Sequence, residues 1–276
     1  MSVITRFAPS PTGYLHLGHA HAALFAQRAG DRFLLRIEDI DPGRGDPAYE
    51  AAIFEDIAWL GLSWEEPVLR QSAHLGDYAA ALARLRDRAL LYPCFCTRRD
   101  IREEIARSAQ APHTHEGPVY PGTCKRLGEA ERRARLEAGQ PHALRLDVAA
   151  AARHTGPLSW HDRDRGPQTA STELFGDVVL ARKDIATSYH LAVTLDDARQ
   201  GITLVTRGDD LFTASHIHRL LQALLDLPVP EWQHHGLLTD TDGNRLAKRT
   251  NAATLRSLRA AGHSPAEVRA LAGFPD

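Results

Sequence analysis

Two imidazoles flank a glycine in His16-Leu17-Gly18-His19, and far downstream one lysine sits among arginines in Arg245-Leu246-Ala247-Lys248-Arg249. Both groupings suit phosphate chemistry. Imidazole N–H groups and an ammonium donate hydrogen bonds to phosphate oxygens, and a glycine without a side chain lets a nucleotide approach the backbone. If a helix begins near Gly18, its unpaired N–H groups and its dipole favour an anion at the same place. The expected ligand is a triphosphate, with His16, Gly18, His19 and Lys248 as its contacts and His16, His19 and Lys248 as the catalytic donors. Taken alone, either motif is equally an ordinary loop or a surface basic cluster.

Cys94-Phe95-Cys96 and Cys124 form a second constellation, since all three cysteines of the chain lie between positions 94 and 124. That clustering argues against a disulfide framework and for a local metal or thiol site, three quarters of a tetrahedral zinc centre with Zn–S distances of ~2.3 Å. The fourth ligand is missing from the cysteine count, and His113 and His115 are the usual chemical candidates. A third set is made of charges. Arg6, at the end of an apolar run, and Arg207 suit a side-chain carboxylate. Glu38 suits an ammonium group, and Tyr189 adds a phenolic hydrogen bond; read alone, Glu38 is also the start of a solvated loop, Tyr189 a core aromatic and Arg207 a surface ion-pair residue.

Total charge restricts the partners. The chain has 276 residues and a net charge of −2, so a strongly basic nucleic-acid binder is not visible in the sum. RNA contact would fall to local patches such as Arg132, Arg133 and Arg135, which equally read as a solvated helix face. No apolar stretch approaches the ~20 residues of a membrane span, and the first residues read as a strand with no signal peptide ahead of it. No membrane association, a cytoplasmic location and a monomer are expected.

The elements that position these groups alternate between strand and helix. Val3, Ile4 and Phe7 suit a buried parallel strand, a helix over 17–29 closes at Gly30, and Arg32 to Ile37 forms the next strand. A helix from Asp46 to about Leu60 takes Asp46 as N-cap and Pro47 at its first position, and another is capped by Ser72 and runs to about Leu91. From about residue 94 the pattern changes. A Thr97-x-x-Asp100 helix start, a Pro/His/Gly-rich stretch over 112–122, a polar helix and strands over 142–148 and 158–161 read as an inserted subdomain. Alternation resumes with a strand over 176–182, a helix over 188–197, a strand over 202–206, a helix over 213–226 and a strand over 236–239. Helices over 252–260 and 265–271 follow, the latter with a Ser264-x-x-Glu267 capping box.

Arg6-Phe7-Ala8-Pro9-Ser10-Pro11-Thr12-Gly13, followed by the His-x-Gly-His motif and the distant Lys248, resembles the class I aminoacyl-tRNA synthetases, specifically the glutamyl branch. The resemblance covers nearly the whole chain. It implies an α/β, Rossmann-type parallel-sheet catalytic domain with an inserted zinc-binding, acceptor-type subdomain and a short helical C-terminus. The halves of the catalytic domain fall at 1–92 and 171–250, the insert at 93–170 and the closing helices at 251–276. It implies ATP with magnesium as substrate, activation of L-glutamate to the adenylate, and glutamate contacts from Arg6, Phe7, Ala8, Pro9, Ser10, Glu38, Tyr189 and Arg207. Tyr120, in Tyr120-Pro121-Gly122-Thr123-Cys124, matches a branch in which tyrosine completes a structural zinc site with Cys94, Cys96 and Cys124; His115 is the alternate ligand.

Two departures stand out. The lysine loop resembles a KMSKS motif in which Arg245 replaces the first lysine, Ala247 the first serine and Arg249 the last serine, while Lys248 keeps the second lysine. Ala214, Ser215 and His216 stand where the family tends to have Ser/Thr-Pro. Only 27 residues follow Arg249, too few for an anticodon-binding domain. That shortness resembles truncated paralogues that transfer glutamate to the queuosine base of tRNA(Asp). A core that charges tRNA(Glu) and a non-catalytic RNA-binding paralogue are the competing expectations.

Overall fold

The computed structural model describes residues 2–101, 113–114, 117–238 and 253–275. In chain order the first half comprises β1 (Ile4–Phe7), α1 (Leu17–Ala29), β2 (Arg32–Ile37), α2 (Pro47–Trp59), β3 (Glu65–Arg70), α3 (Leu75–Asp87) and β4 (Leu91–Cys94). The middle comprises β5 (His113–Thr114), β6 (Gly117–Pro118), α4 (Glu129–Glu137), β7 (Ala143–Leu146), α5 (Val148–Thr155), β8 (Ser159–Asp162) and β9 (Gly166–Thr169). Then come β10 (Val179–Ala181), α6 (Tyr189–Arg199), β11 (Leu204–Gly208), α7 (Ala214–Leu225), β12 (Glu231–His235), α8 (Leu255–Ala260) and α9 (Pro265–Leu271).

β1, β2 and β3 form one parallel ladder, and β11, β12 and β8 form another to which β9 adds an antiparallel edge. The two ladders abut at β1 and β11. The Thr203 N–H donates to the Ile4 carbonyl at 3.1 Å, and the Ile4 N–H donates to Thr203 Oγ1 at 2.8 Å. Connections therefore leave in opposite directions on either side of β1, and the crevice at such a switch point, beyond the strands' carboxyl ends, is where ligands bind in open parallel sheets. Strands of the 93–170 segment reach outside it: β7 lies between β4 and β10, and β8 pairs with β12.

Local chemistry explains most element ends. Asp46 accepts from the Ala48 N–H at 2.8 Å with Pro47 at the first helical position, as the sequence predicts for α2. Thr97 and Asp100 form the expected reciprocal cap, and so do Ser264 and Glu267. Gly30 ends α1 where a Cβ would lie 2.7 Å from Thr5 Oγ1, so only glycine lets the chain turn that close to β1.

Other expectations shift. Ser72 does not cap α3; its N–H and Oγ donate to the Asp39 carboxylate at 2.8 and 2.5 Å, tying the end of β3 to the loop after β2. α3 stops at Asp87 rather than Leu91, because Ala89 takes a positive φ of 55° and Leu91 opens a strand. The strand expected over 236–239 is β12, five residues earlier. Residues 236–238 carry no ladder, and 239 lies outside the described residues. β3, β9 and α5 were not anticipated. Both strands are largely exposed edges with charged or turn-type residues, which carry little alternation.

Separate apolar clusters pack the sheets and helices, with Trp160, Ile202, Val205 and Trp232 covering the β11 ladder. Leu24, Phe33, Leu35, Ile53 and Ile57 pack under the β1 side together with Leu255, Val268 and Phe274 from the end of the chain. Tyr78, Leu85, Leu180, Leu191, Ile217 and Leu221 pack α3, α6 and α7 together. Arg133 and Arg135 pair with Glu129 and Glu131 one turn earlier, and Arg132 donates to the Lys125 and Leu127 carbonyls, so this run is a self-paired helix face rather than an open basic patch. Among the described residues no helix is long and apolar enough to cross a membrane.

Candidate active site

The first turn of α1 is capped by its own histidines. His16 Nδ1 accepts from the Gly18 N–H at 3.1 Å, and His19 Nδ1 accepts from the His16 N–H at 3.2 Å. The rings lie 3.8 Å apart between centroids. Burial lowers the pKa of both rings, and burial together with the neighbouring His16 brings His19 to about 4. A neutral imidazole that accepts at Nδ1 must carry its proton at Nε2. The motif thus presents two neutral Nε2–H donors at a helix N-terminus, the equipment for holding a phosphate without a competing carboxylate. Lys248 and the rest of the Arg245–Arg249 loop lie outside the described residues.

A cavity of about 450 Å³ opens beside this turn. Its wall includes Arg6, Phe7, Ala8, Pro9, Ser10, Glu38, Tyr189, Arg207 and His19, which brings together all the residues expected to hold an amino acid. Thr12, Gly13, Tyr14 and Leu211 line it as well. His16 and Gly18 do not.

The two arginines differ in a way their residue types could not reveal. Arg6 has a partner within the protein. Its Nε and Nη2 donate to the Asp197 carboxylate at 2.8 and 3.4 Å, and its Nη1 donates to the Thr206 carbonyl at 2.9 Å. Arg36, fully buried, donates to the same Asp197 at 2.6 Å. Burial would raise Asp197, but the two guanidiniums outweigh it and hold its carboxyl below the usual range. Arg207 is also buried, yet its recorded partners are neutral: Ser215 Oγ at 2.7 Å, His218 Nδ1 at 3.1 Å and the Tyr189 hydroxyl at 3.5 Å. Its Nε–H has no acceptor. Among the described residues, Arg207 is thus a cavity-lining cation with no carboxylate of its own, and a buried charge in that condition favours an anionic ligand.

Glu38 supplies the opposite sign. It lies 3.7 Å from Arg36 Nε, and burial lifts its carboxyl to about 7 against the pull of Arg36 and Arg6. An ammonium bound there would replace lost hydration with a charge partner and draw the proton off.

The cysteines converge with Tyr120. The sulfurs of Cys94, Cys96 and Cys124 lie within 4.8 Å of one another. Cys96 Sγ is 3.4 Å from Cys124 Sγ, and the Tyr120 hydroxyl is 3.5 Å from Cys94 Sγ and 3.7 Å from Cys96 Sγ. Ligands ~2.3 Å from a tetrahedral ion are separated by ~3.8 Å, so four donors at these spacings fit one zinc. The Cys124 N–H donates to the Tyr120 oxygen at 2.8 Å, and the Phe95 N–H to Cys124 Sγ at 3.2 Å, contacts that favour anionic donors. The alternate ligand His115 lies outside the described residues.

With this geometry in hand, the match of residues 2–271 to the model for tRNA synthetases class I (E and Q), catalytic domain, decides the family. The chain belongs to it. The class I synthetase family includes a glutamyl-Q tRNA(Asp) synthetase of Rhodobacter capsulatus that is 52% identical over 99% of this chain and 100% of that protein. A glutamyl-Q tRNA(Asp) synthetase of Nocardia farcinica is 45% identical over 96% of this chain and 82% of that protein. The crystal structure of a glutamate tRNA ligase from Elizabethkingia meningosepticum in complex with its amino acid is 27% identical, with a TM-score of 0.72 over 95% of this chain and 54% of that one. This class I synthetase chain therefore spans about half the length of that ligase.

Three residues important to the synthetase pocket escape a motif search: Asp197, Arg36 and Asp196. Asp197 holds Arg6 and Arg36, while Asp196 accepts from Gln71 at 2.7 Å and from the Tyr78 hydroxyl at 2.9 Å. The available signal is two adjacent acids that interrupt the apolar run of α6, both buried, where a solvated helix end was the simpler reading.

Proposed function

We propose that this chain activates L-glutamate with ATP to glutamyl-adenylate and transfers the glutamyl group to the queuosine base of tRNA(Asp). The observation that carries the amino-acid assignment is one cavity lined both by a buried Arg207 whose partners among the described residues are neutral and by the Glu38 carboxyl, which burial lifts despite Arg36 and Arg6. Glutamate matches both charges; glutamine would leave the Arg207 charge uncompensated. The acceptor assignment rests on similarity to the Rhodobacter capsulatus glutamyl-Q tRNA(Asp) synthetase across both full lengths.

In this reading Arg207 takes the side-chain carboxylate, with Tyr189 beside it, and Glu38 takes the ammonium group. The stretch Arg6 to Ser10 forms the wall that turns the α-carboxylate toward the triphosphate. Its oxygen attacks the α-phosphorus, the bond to the bridging oxygen breaks, and pyrophosphate leaves with the magnesium that accompanies ATP. Charge builds on phosphate oxygens during this step, and the Nε2–H groups of His16 and His19, with Lys248, supply donors for it. A nucleophilic group on the queuosine base then attacks the activated carbonyl, the bond from that carbon to the phosphate oxygen breaks, AMP leaves and the nucleophile's proton passes to solvent. Cys94, Cys96, Tyr120 and Cys124 would hold one zinc ion that braces the segment between β4 and α4 and takes no part in the chemistry.

The test combines the protein with ATP, labelled glutamate and purified tRNAs with and without queuosine. Label is expected only on queuosine-containing tRNA(Asp), in a linkage on the anticodon base. Label on unmodified tRNA(Asp), or only on the 3′ end of tRNA(Glu), would replace this reading with that of a tRNA-charging core. Absence of glutamate-dependent exchange of pyrophosphate into ATP would favour a non-catalytic RNA-binding role.

A further inference from the structure

Arg207 is held by neutral acceptors arranged in a row. β11 and β12 pair in parallel with Arg207 opposite His234, and Asp162 ends β8, the next strand. From these elements and the start of α7 comes an unbroken chain. Arg207 Nη2 lies 2.7 Å from Ser215 Oγ, Ser215 Oγ lies 3.2 Å from His234 Nε2, and His234 Nδ1 lies 2.6 Å from Asp162 Oδ2. Ser215, His234 and Asp162 are all buried.

Chemistry leaves this chain one polarity. A guanidinium only donates, so Ser215 Oγ accepts from Arg207. A carboxylate only accepts, so His234 Nδ1 carries the proton facing Asp162. The other nitrogen of a neutral ring is then bare, and the Ser215 hydroxyl donates to it. Burial and the nearby Arg207 charge keep His234 neutral, with its pKa lowered to about 4, despite Asp162. Asp162 is itself locked, because its Oδ1 accepts the Asp164 and Arg165 N–H groups, each at 3.0 Å.

We infer that Asp162, His234 and Ser215 form a directional hydrogen-bond relay that positions Arg207 for the substrate carboxylate through a neutral acceptor, with Asp162 set two hydrogen bonds behind Ser215. They are positioning residues: none lines the cavity, and each acts through Arg207. Arg6 shows the alternative arrangement, a guanidinium directly occupied by Asp197. The relay orients Arg207 through a hydroxyl and contributes no carboxylate directly to it. This inference rests on the reading of the cavity as a glutamate site.

Asp162→Asn tests it with an isosteric change. The amide oxygen stays with the two backbone N–H groups, so the NH2 faces His234 Nδ1 and forces the ring to put its proton on Nε2. Ser215 Oγ then meets donors from both sides and loses its acceptor. In ATP–pyrophosphate exchange, Asp162→Asn is expected to raise the KM for glutamate about tenfold while the KM for ATP stays within about twofold. Ser215→Ala should do the same, and the double variant should be no worse than Ser215→Ala alone, because both act along one path.

An unchanged KM for glutamate in Asp162→Asn, effects that multiply in the double variant, or equal rises for glutamate and ATP would each overturn the relay. NMR of the His234 ring nitrogens provides a reading independent of turnover. The parent should be protonated at Nδ1 and bare at Nε2, with the reverse in Asp162→Asn; a parent ring protonated at Nε2 also overturns the relay. No glutamate-dependent exchange in the parent, with the expected ring state present, would instead remove the functional reading, and with it the role given to these residues.

Discussion

Arg6 and Arg207 are identical as letters and opposite in employment. One is paired with Asp197 and shapes the pocket wall; the other has neutral hydrogen-bond partners among the described residues. Glu38 completes the pair of signs, and its position near 7 makes binding depend on pH. Below that value the carboxyl is protonated and gives the substrate ammonium no charge; above it the carboxylate is present. The KM for glutamate should therefore fall about tenfold as pH rises from about 6 to 8, then level off. Glu38→Gln should bind glutamate poorly and without that slope. A slope that survives in Glu38→Gln would assign the titration to another group.

At the scale of elements, the decisive piece is the start of α1. Gly18 has a specific reason to be glycine. A Cβ there would lie 3.0 Å from His16 Cε1 and 3.2 Å from its Nδ1, so the ring that caps the helix would have to move. Gly18→Ala is expected to lower thermal stability by about 1 kcal/mol through the lost cap and to raise the KM for ATP more than that for glutamate. Equal KM values for parent and variant would detach the cap from nucleotide binding. The same element was readable in sequence because Gly18 and two histidines crowd a helix start after a Pro/Gly turn. β12 was not, since its Trp-Gln-His-His run reads as polar until the ladder with β11 buries Trp232, His234 and His235. α3 differs from the sequence expectation at both ends, the first for a related reason. Ser72 looks like a cap locally, and only the approach of Asp39 engages it elsewhere.

For the whole molecule, the site exists because two ladders meet. β1 brings Arg6 and β11 brings Arg207 to one crevice, across about two hundred residues of chain. The cysteine cluster is a second long-range closure, joining the end of β4 to the turn at Cys124. Purified protein is expected to hold one zinc per chain. Cys96→Ser or chelation should release it and lower the melting temperature by several degrees, with a smaller effect on the KM values for ATP and glutamate. Zinc-free native protein with unchanged melting in Cys96→Ser would show that the four donors hold no metal.

What the amino-acid sequence determined by itself was the local grammar. The strand, Pro/Gly turn and histidine-capped helix, the α/β alternation, the Asp46 and Ser264 caps and the clustered cysteines are all set by neighbours within a few residues, where spacing and propensity act directly. The residues lining the cavity were legible because they lie in or match contiguous motifs. Which arginine has a carboxylate partner among the described residues depends on tertiary contacts. Arg6 meets Asp197 far along the chain, and Arg207 meets Ser215 and His218 on the helix that follows its own strand, while Ser215 reaches the distant Asp162 only through His234. Burial made those pairings matter, since a charge or hydroxyl removed from water takes its character from whichever partner the fold brings within hydrogen-bonding reach.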